Sequence, residues 1–180
     1  MSHWSFGVLV LLAAGVIGCD KTPPDAAPVS TDTNALSAVP GLPTHAQPKL
    51  ETTQLWLGSD SLQTELARTG EQLQTGMMFR TNIAETEAML FLFPGPHRTS
   101  FWMAQTTVPL SAAYIDPSGV ILEIHDLKPL NTNAVVAASD QVQFVLETSQ
   151  GWFQRHNVHE GMLVRGAHGT LMQLYRGQNK

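Results

Sequence analysis

The chain has a single cysteine in 180 residues, and the position of Cys19 constrains the fold more than any other feature. No disulfide can staple the monomer and no cysteine cluster can hold a metal, so a folded part must stand on its own apolar core. Cys19 also closes a nearly unbroken apolar run, Trp4 to Gly18 (WSFGVLVLLAAGVIG). At fifteen residues the run is too short to span a bilayer, which takes about twenty in a helix. Its length and its small-residue end are those of a signal-peptide hydrophobic region. Val16-Ile17-Gly18-Cys19 has the form read by lipoprotein signal peptidase: branched apolar, aliphatic, small, Cys.

Residues 1–18 are therefore expected to be a lipoprotein signal peptide, with Cys19 as the acylated first residue of the mature chain. An acylated Cys19 leaves no thiol for catalysis. The leading MSH departs from the usual pattern, since it holds His3 but no Lys or Arg. An interfacial or buried N-terminal helix is disfavoured, because helical periodicity and polar residues are both absent from the run. Two or three palmitate-type acyl chains would anchor the protein stably, each buried methylene contributing about 0.8 kcal/mol. The expected location is the cell envelope, facing the periplasm or exterior, and Asp20 favours the inner membrane.

From Asp20 to Pro48 the composition changes. This stretch holds six of the eleven prolines, and most of the rest is Ala, Ser, Thr and Asp. Such a segment buries too little apolar surface to offset its ordering entropy, and residues 19–48 are expected to be a lipidated, disordered tether. Its reach would be up to about 90 Å at about 3.1 Å per residue in a polyproline conformation.

Residues 49–176 read as one globular domain. Leu50–Leu57 and Ser61–Ala67, split by Gly58-Ser59-Asp60, form a candidate hairpin. Thr69 and Gln72 can make a capping pair for a short helix ending near Gly76. Met89–Phe93 is a continuous apolar run stopped by Pro94-Gly95-Pro96, which reads as a strand buried on both faces. Further strands are expected at Ser100–Gln105, Ala112–Asp116, Val120–His125 and Gln143–Thr148, and in the closing LVR and TLMQLY segments. Ser149 is positioned to cap a second helix over Trp152–Asn157. Together these predict an α+β fold: a mainly antiparallel, strongly bent or barrel-like sheet with two short helices.

Five segments follow one another at short spacing: TGMMFRTNI (Thr75–Ile83), MLFLFPGP, SFWMAQTTVPL (Ser100–Leu110), YIDPSGVILEI and FVLETSQGWFQRHNVHEGMLV (Phe144–Val164). In this order they resemble the family called domain of unknown function 192, which recurs in exported bacterial and archaeal proteins. The resemblance spans about Leu50 to Val164 and implies a fold and an envelope location, with no established reaction. This chain departs from the family pattern at Met77 (usually Leu), at Ala104-Gln105 (usually Lys-Asn) and at Ser111 (usually Asp). An activity that needed that Lys and Asp would be lost or altered here.

The formal charge of −5 and the scattered Lys and Arg provide no basic surface for nucleic acid. Candidate ligand-binding residues are Arg80, Trp102 and Gln105. Arg80 could receive a carboxylate or phosphate, or could hold loop carbonyls or pair with Glu85 or Glu87. Trp102 points opposite to Phe101 and Met103 on a strand, either to stack on a ring or to pack in the core. His156 and His159 are three apart, with His125, Asp126 and Asp116 as further donors, but converging third and fourth ligands are not evident; no metal and no cofactor is expected. No G-x-S-x-G, GxGxxG or phosphate loop is present. The expectation is a non-catalytic module that binds a small ligand or an envelope protein. The alternative is a hydrolase or other enzyme on cell-envelope material, with Arg80 and a nearby acid as working groups.

Overall fold

The computed structural model describes residues 41–167 and 169–176; the expected signal peptide, Cys19 and most of the expected tether lie outside them. The elements run β1 (Thr52–Leu57), β2 (Asp60–Ala67), α1 (Gly70–Thr75), β3 (Glu87–His97), β4 (Ser100–Phe101), β5 (Leu110–Ile115) and β6 (Ile121–Leu127). They continue with β7 (Val135–Val136), β8 (Val142–Ser149), α2 (Trp152–Arg155), β9 (Val164–Gly166), β10 (Gly169–Thr170) and α3 (Leu171–Arg176). One eight-stranded sheet has the order β10-β9-β1-β2-β3-β8-β5-β6, and β4 pairs with β7 in a small second sheet.

The predicted hairpin forms, with Leu57 opposite Asp60 across the Gly58-Ser59 turn and Gly58 at φ 64°. The predicted capping box also forms: the Gln72 N–H donates to the Thr69 hydroxyl, and the Gln72 side chain accepts from the Thr69 N–H. β2 and β3 are parallel, so the chain between them must cross over the sheet, and it does so through α1 and the GMMFR loop. The large sheet is therefore mixed. Its end strands β10 and β6 do not pair with each other, so it is open and not closed into a barrel.

Three helices are described instead of the two expected. TLMQLY, expected as a strand, becomes α3 after Thr170. Leu171, Leu174 and Tyr175 share one helical face on the core at i, i+3, i+4 spacing, a pattern that a short apolar run leaves ambiguous. Ser149 does not cap α2, whose N-cap is Gly151 at φ 75°. The Ser149 hydroxyl instead donates to Glu85 (2.8 Å). The strand expected over Ser100–Gln105 stops at Phe101, because Trp102–Gln105 turns away to reach β5. β3 runs on past Pro94 and Pro96 to His97 through a register shift, the irregular setting in which a strand tolerates proline.

Central strands β5 and β8 are buried throughout most of their length, since both faces of the sheet are covered. Leu62, Leu90, Leu92, Ile115, Phe144 and Leu146 pack on one face with Trp152, Phe153 and Leu171. Met89, Phe91, Ala112, Tyr114 and Val145 point to the other, where Met77, Met103 and Val108 from the crossover and the 98–109 connection close over them. Ordered contacts also reach into the segment expected as tether. The Gln47 side-chain amide donates to the Gly76 carbonyl (2.8 Å), and that of Gln74 donates to the Gly41 carbonyl (2.8 Å).

Candidate functional site

Two loops meet over the second face of the sheet. One follows α1 (Gly76-Met77-Met78-Phe79-Arg80) and the other follows β4 (Trp102-Met103-Ala104-Gln105-Thr106). The Phe79 N–H donates to the Gln105 carbonyl (2.8 Å), and the Thr107 hydroxyl donates to the Arg80 carbonyl (3.3 Å). Phe79 and Gln105, the two residues of the first bond, have φ 61° and 55°. A left-handed backbone at residues other than Gly costs of order 1–3 kcal/mol and persists only where surrounding contacts hold it. Each strained residue is fixed here by the other.

Beneath the joined loops lies a cavity of about 180 Å³. Its walls are the C-terminal end of α1 with Met77 and Met78, the aromatic side chains Phe91, Phe93, Phe101 and Trp102, and the polar residues Thr75, Thr99, Ser100 and Thr106. Phe91 and Phe101 meet edge to face at 4.8 Å, which fixes the orientation of that wall. Gly76 is required at the rim: it has φ 46°, and a Cβ there would stand 3.0 Å from the Phe91 ring.

The remaining lining residue is Glu147 on β8, and it is the unusual one. It is 3% exposed. Its neighbours across the sheet are Met89 on β3 and Ala112 on β5, both fully buried, so apolar side chains flank it on each side. Among the described residues nothing donates a hydrogen bond to its carboxyl group. Burial alone pushes its pKa up to about 8. An ionised carboxylate with no partner is costly in such a setting, so the group keeps its proton at neutral pH. Tyr114, on the same face, has its own ionisation pushed up, first by burial and then by the nearby Glu147 and Glu123. Its hydroxyl donates to the Val135 carbonyl (2.7 Å) and ties β7 to the sheet.

The three residues singled out from sequence fall in different places. Trp102 is 43% exposed and stands at the cavity wall, opposite to buried Met103. Gln105 is half-buried and contributes its strained backbone to the loop junction. Arg80 does not line the cavity. Its guanidinium pairs in bidentate fashion with Glu65 on β2 (3.0 and 2.9 Å), and not with Glu85 or Glu87. Glu65 also accepts from the Leu50 N–H (2.7 Å), so this pair joins the crossover loop to β2 and to the chain entering β1.

Ser111, at one departure from the family pattern, is buried. Its hydroxyl donates to Asp126 on β6 and accepts from the Gly151 N–H at the start of α2 (2.8 Å). Ala104, at another, is fully buried. His156 and His159, three apart in sequence, have separate partners. His156 stacks on Trp152 at 4.3 Å and contacts Asp60 (2.9 Å) and Glu85 (3.3 Å), whereas His159 bonds to the Glu160 carbonyl (2.8 Å). Glu85 is held down to about 2, chiefly by its hydrogen bonds from Arg155. Among the described residues no group of three or more His, Cys, Asp or Glu is arranged to hold a metal ion.

Glu147 was not anticipated from sequence. The signal available was a carboxylate inside a strand whose neighbours Phe144, Val145 and Leu146 are all apolar. A charge there must be partnered, neutral or functional.

A β-rich fold whose β2–α1–β3 crossover and 98–109 connection roof one sheet face defines the class. The chain belongs to the DUF192 family (Uncharacterized ACR), which matches residues 53–166. Two solved structures are similar. One is a candidate transcription regulator from Sinorhizobium meliloti, 28% identical, with a TM-score of 0.64, covering 68% of this chain and 98% of its own. The other is a protein of unknown function from Novosphingobium aromaticivorans, also 28% identical, with a TM-score of 0.63, covering 75% of this chain and 98% of its own. No curated protein matches the chain.

Proposed function

We propose that this protein is an envelope lipoprotein whose domain binds a small ligand, without catalysis, in the cavity above Glu147. The observation that carries the reading is an unpartnered carboxyl group, almost wholly buried, at the wall of a preformed cavity lined by aromatic residues. Binding sites combine apolar walls with few polar groups that orient the ligand, and strongly displaced pKa values cluster in them. Trp102 at the cavity wall and the Phe79–Gln105 junction fit a site whose roof is held in a fixed shape. The alternative, an enzyme acting on envelope material, relied on Arg80 with a nearby acid as working groups. Arg80 and Glu65 are occupied with each other away from the cavity, which favours binding over catalysis.

The anchor is supported by Val16-Ile17-Gly18-Cys19 at the end of the short apolar run. Among the described residues no helix is long and apolar enough to cross a membrane. A lipid on Cys19, facing the periplasm or exterior with Asp20 favouring the inner membrane, would hold the domain at the bilayer. Two measurements test the proposal. Cys19→Ala should abolish labelling by a fatty-acid probe, and equal labelling of both proteins would refute the anchor. Trp102 should report occupancy through its fluorescence during a small-molecule screen, with Trp56 and Trp152 replaced by Phe. A screen in which no compound changes that emission or the melting temperature would refute the binding role.

A further inference from the structure

We propose that the cavity receives a small organic cation, an ammonium or amidinium group on a short apolar or aromatic body, with the carboxylate of Glu147 as its counter-ion. The inference rests on the reading of this cavity as a ligand site and adds the charge and size of the ligand.

The lining sets the sign. Among the described residues no Lys, Arg or His lines the cavity, and Glu147 is its one titratable side chain. An anionic ligand would meet no positive group and one acidic one. A cation would meet an oxygen pair that accepts no hydrogen bond from the described residues, flanked by Met89 and Ala112, where the low local dielectric strengthens the attraction between opposite charges. Phe91, Phe93, Phe101 and Trp102 in the wall supply aromatic rings of the kind that attract an organic cation. Arg80, two residues beyond Met78 of the cavity wall, is committed to Glu65. That residue sits on β2 in the same cross-strand row as Met89 and Glu147. A cavity of about 180 Å³ has room for about six waters at about 30 Å³ each, enough to seat a body of single-ring size.

The proton balance follows. The empty site holds one proton on Glu147; the arriving cation displaces it to solvent, and the ion pair forms. Other titratable groups facing this region are Tyr114 on β5, Glu65 on β2, and on β6 Glu123 opposite Tyr114 with its partner His125 at the far end of the row. Tyr114 stays protonated across neutral pH because its ionisation is pushed further up, and Glu65 is paired with Arg80.

Three probes of nearly one shape and different charge separate the possibilities: benzylammonium, benzyl alcohol and benzoate. They are titrated into the full chain in detergent micelles by calorimetry, in two buffers of different ionisation enthalpy. Benzylammonium should bind at least about tenfold more tightly than either isostere. At pH 7 it should release about one proton, and its affinity should rise about tenfold per pH unit from 6 towards 8. Glu147→Gln should remove the preference for the cation, and its melting curve checks that it folds; the proton count on the wild type needs no variant. Benzyl alcohol binding as well as benzylammonium, without proton release, would overturn the cation and leave the cavity a ligand site. Benzylammonium binding equally to wild type and Glu147→Gln would also overturn it. No binding of any probe at about 10 mM would remove both the cation and the cavity as a site.

Discussion

Replacing Glu147 by Gln should make the domain more stable, and the gain should grow with pH. In the unfolded chain the carboxyl ionises near 4.5, whereas burial pushes it up to about 8 in the fold. Between those values the unfolded chain binds fewer protons than the native one, so stability falls as pH rises. The displacement from 4.5 to about 8, at about 1.4 kcal/mol per pH unit, corresponds to about 5 kcal/mol over the whole window. About 3 kcal/mol of that has been lost by pH 7. Above pH 8 both states are ionised and the dependence ends.

Gln has the same shape as protonated Glu and does not titrate, so Glu147→Gln keeps the packing against Met89 and Ala112 while deleting this slope. The absolute difference between the two proteins includes the cost of burying an amide, and it is the change with pH that isolates the carboxyl. Urea unfolding followed by far-ultraviolet circular dichroism at pH 4.5, 6, 7 and 8 measures it, provided the denaturant slope is the same for both proteins. The gap should widen by about 3 kcal/mol between pH 4.5 and 7 in favour of Gln. A gap that stays flat across that range would show that Glu147 ionises in the fold as it does in the unfolded chain, and the argument for the cavity would lose its basis.

Arg80→Ala should cost about 2–4 kcal/mol, because it leaves Glu65 half-stripped of its partners in a mostly buried place; an unchanged urea midpoint would contradict the structural role of the pair. Starting the chain at Lys49 removes the Gln47 amide from the Gly76 carbonyl and should cost about 1 kcal/mol. Equal urea midpoints for the shortened and longer chains would show that the contact contributes nothing. Gly76→Ala should cost about 1–3 kcal/mol from its positive φ and the 3.0 Å approach to Phe91, measured by thermal melting, and no loss would mean that the rim adjusts freely.

Local signals carried through to structure where chemistry acts over a few residues. The Thr69–Gln72 box and the Gly58-Ser59 turn depend only on near neighbours, and both form as the sequence implies. The order of strands was a different problem. The parallel pairing of β2 with β3 depends on where a crossover of nearly twenty residues lands, and no periodicity within either strand encodes it. α3 was misread because Leu171, Leu174 and Tyr175 satisfy a helical face within a run too short to exclude a strand.

The site shows the same division. Strand alternation set Trp102 apart from Phe101 and Met103, and it does stand at the cavity wall, whereas Gln105, singled out as a departure from the family pattern, is not part of the lining. The partner of Arg80 was missed because Glu65 lies on a strand fifteen residues away, whereas Glu85 and Glu87 are close in sequence. Glu147 was missed for a further reason: in a strand pattern a Glu reads as the solvent-facing member of an alternation. β8 has no solvent-facing side, since one face is packed by α2 and α3 and the other is roofed by two loops. Only when the crossover has placed Met77 and Met78 above β8 does the same carboxyl become a buried acid at a cavity wall. Its chemistry therefore belongs to the topology as much as to the residue: a change that shifts the roof, such as loss of the Phe79–Gln105 bond, should return Glu147 to water and its pKa towards 4.5.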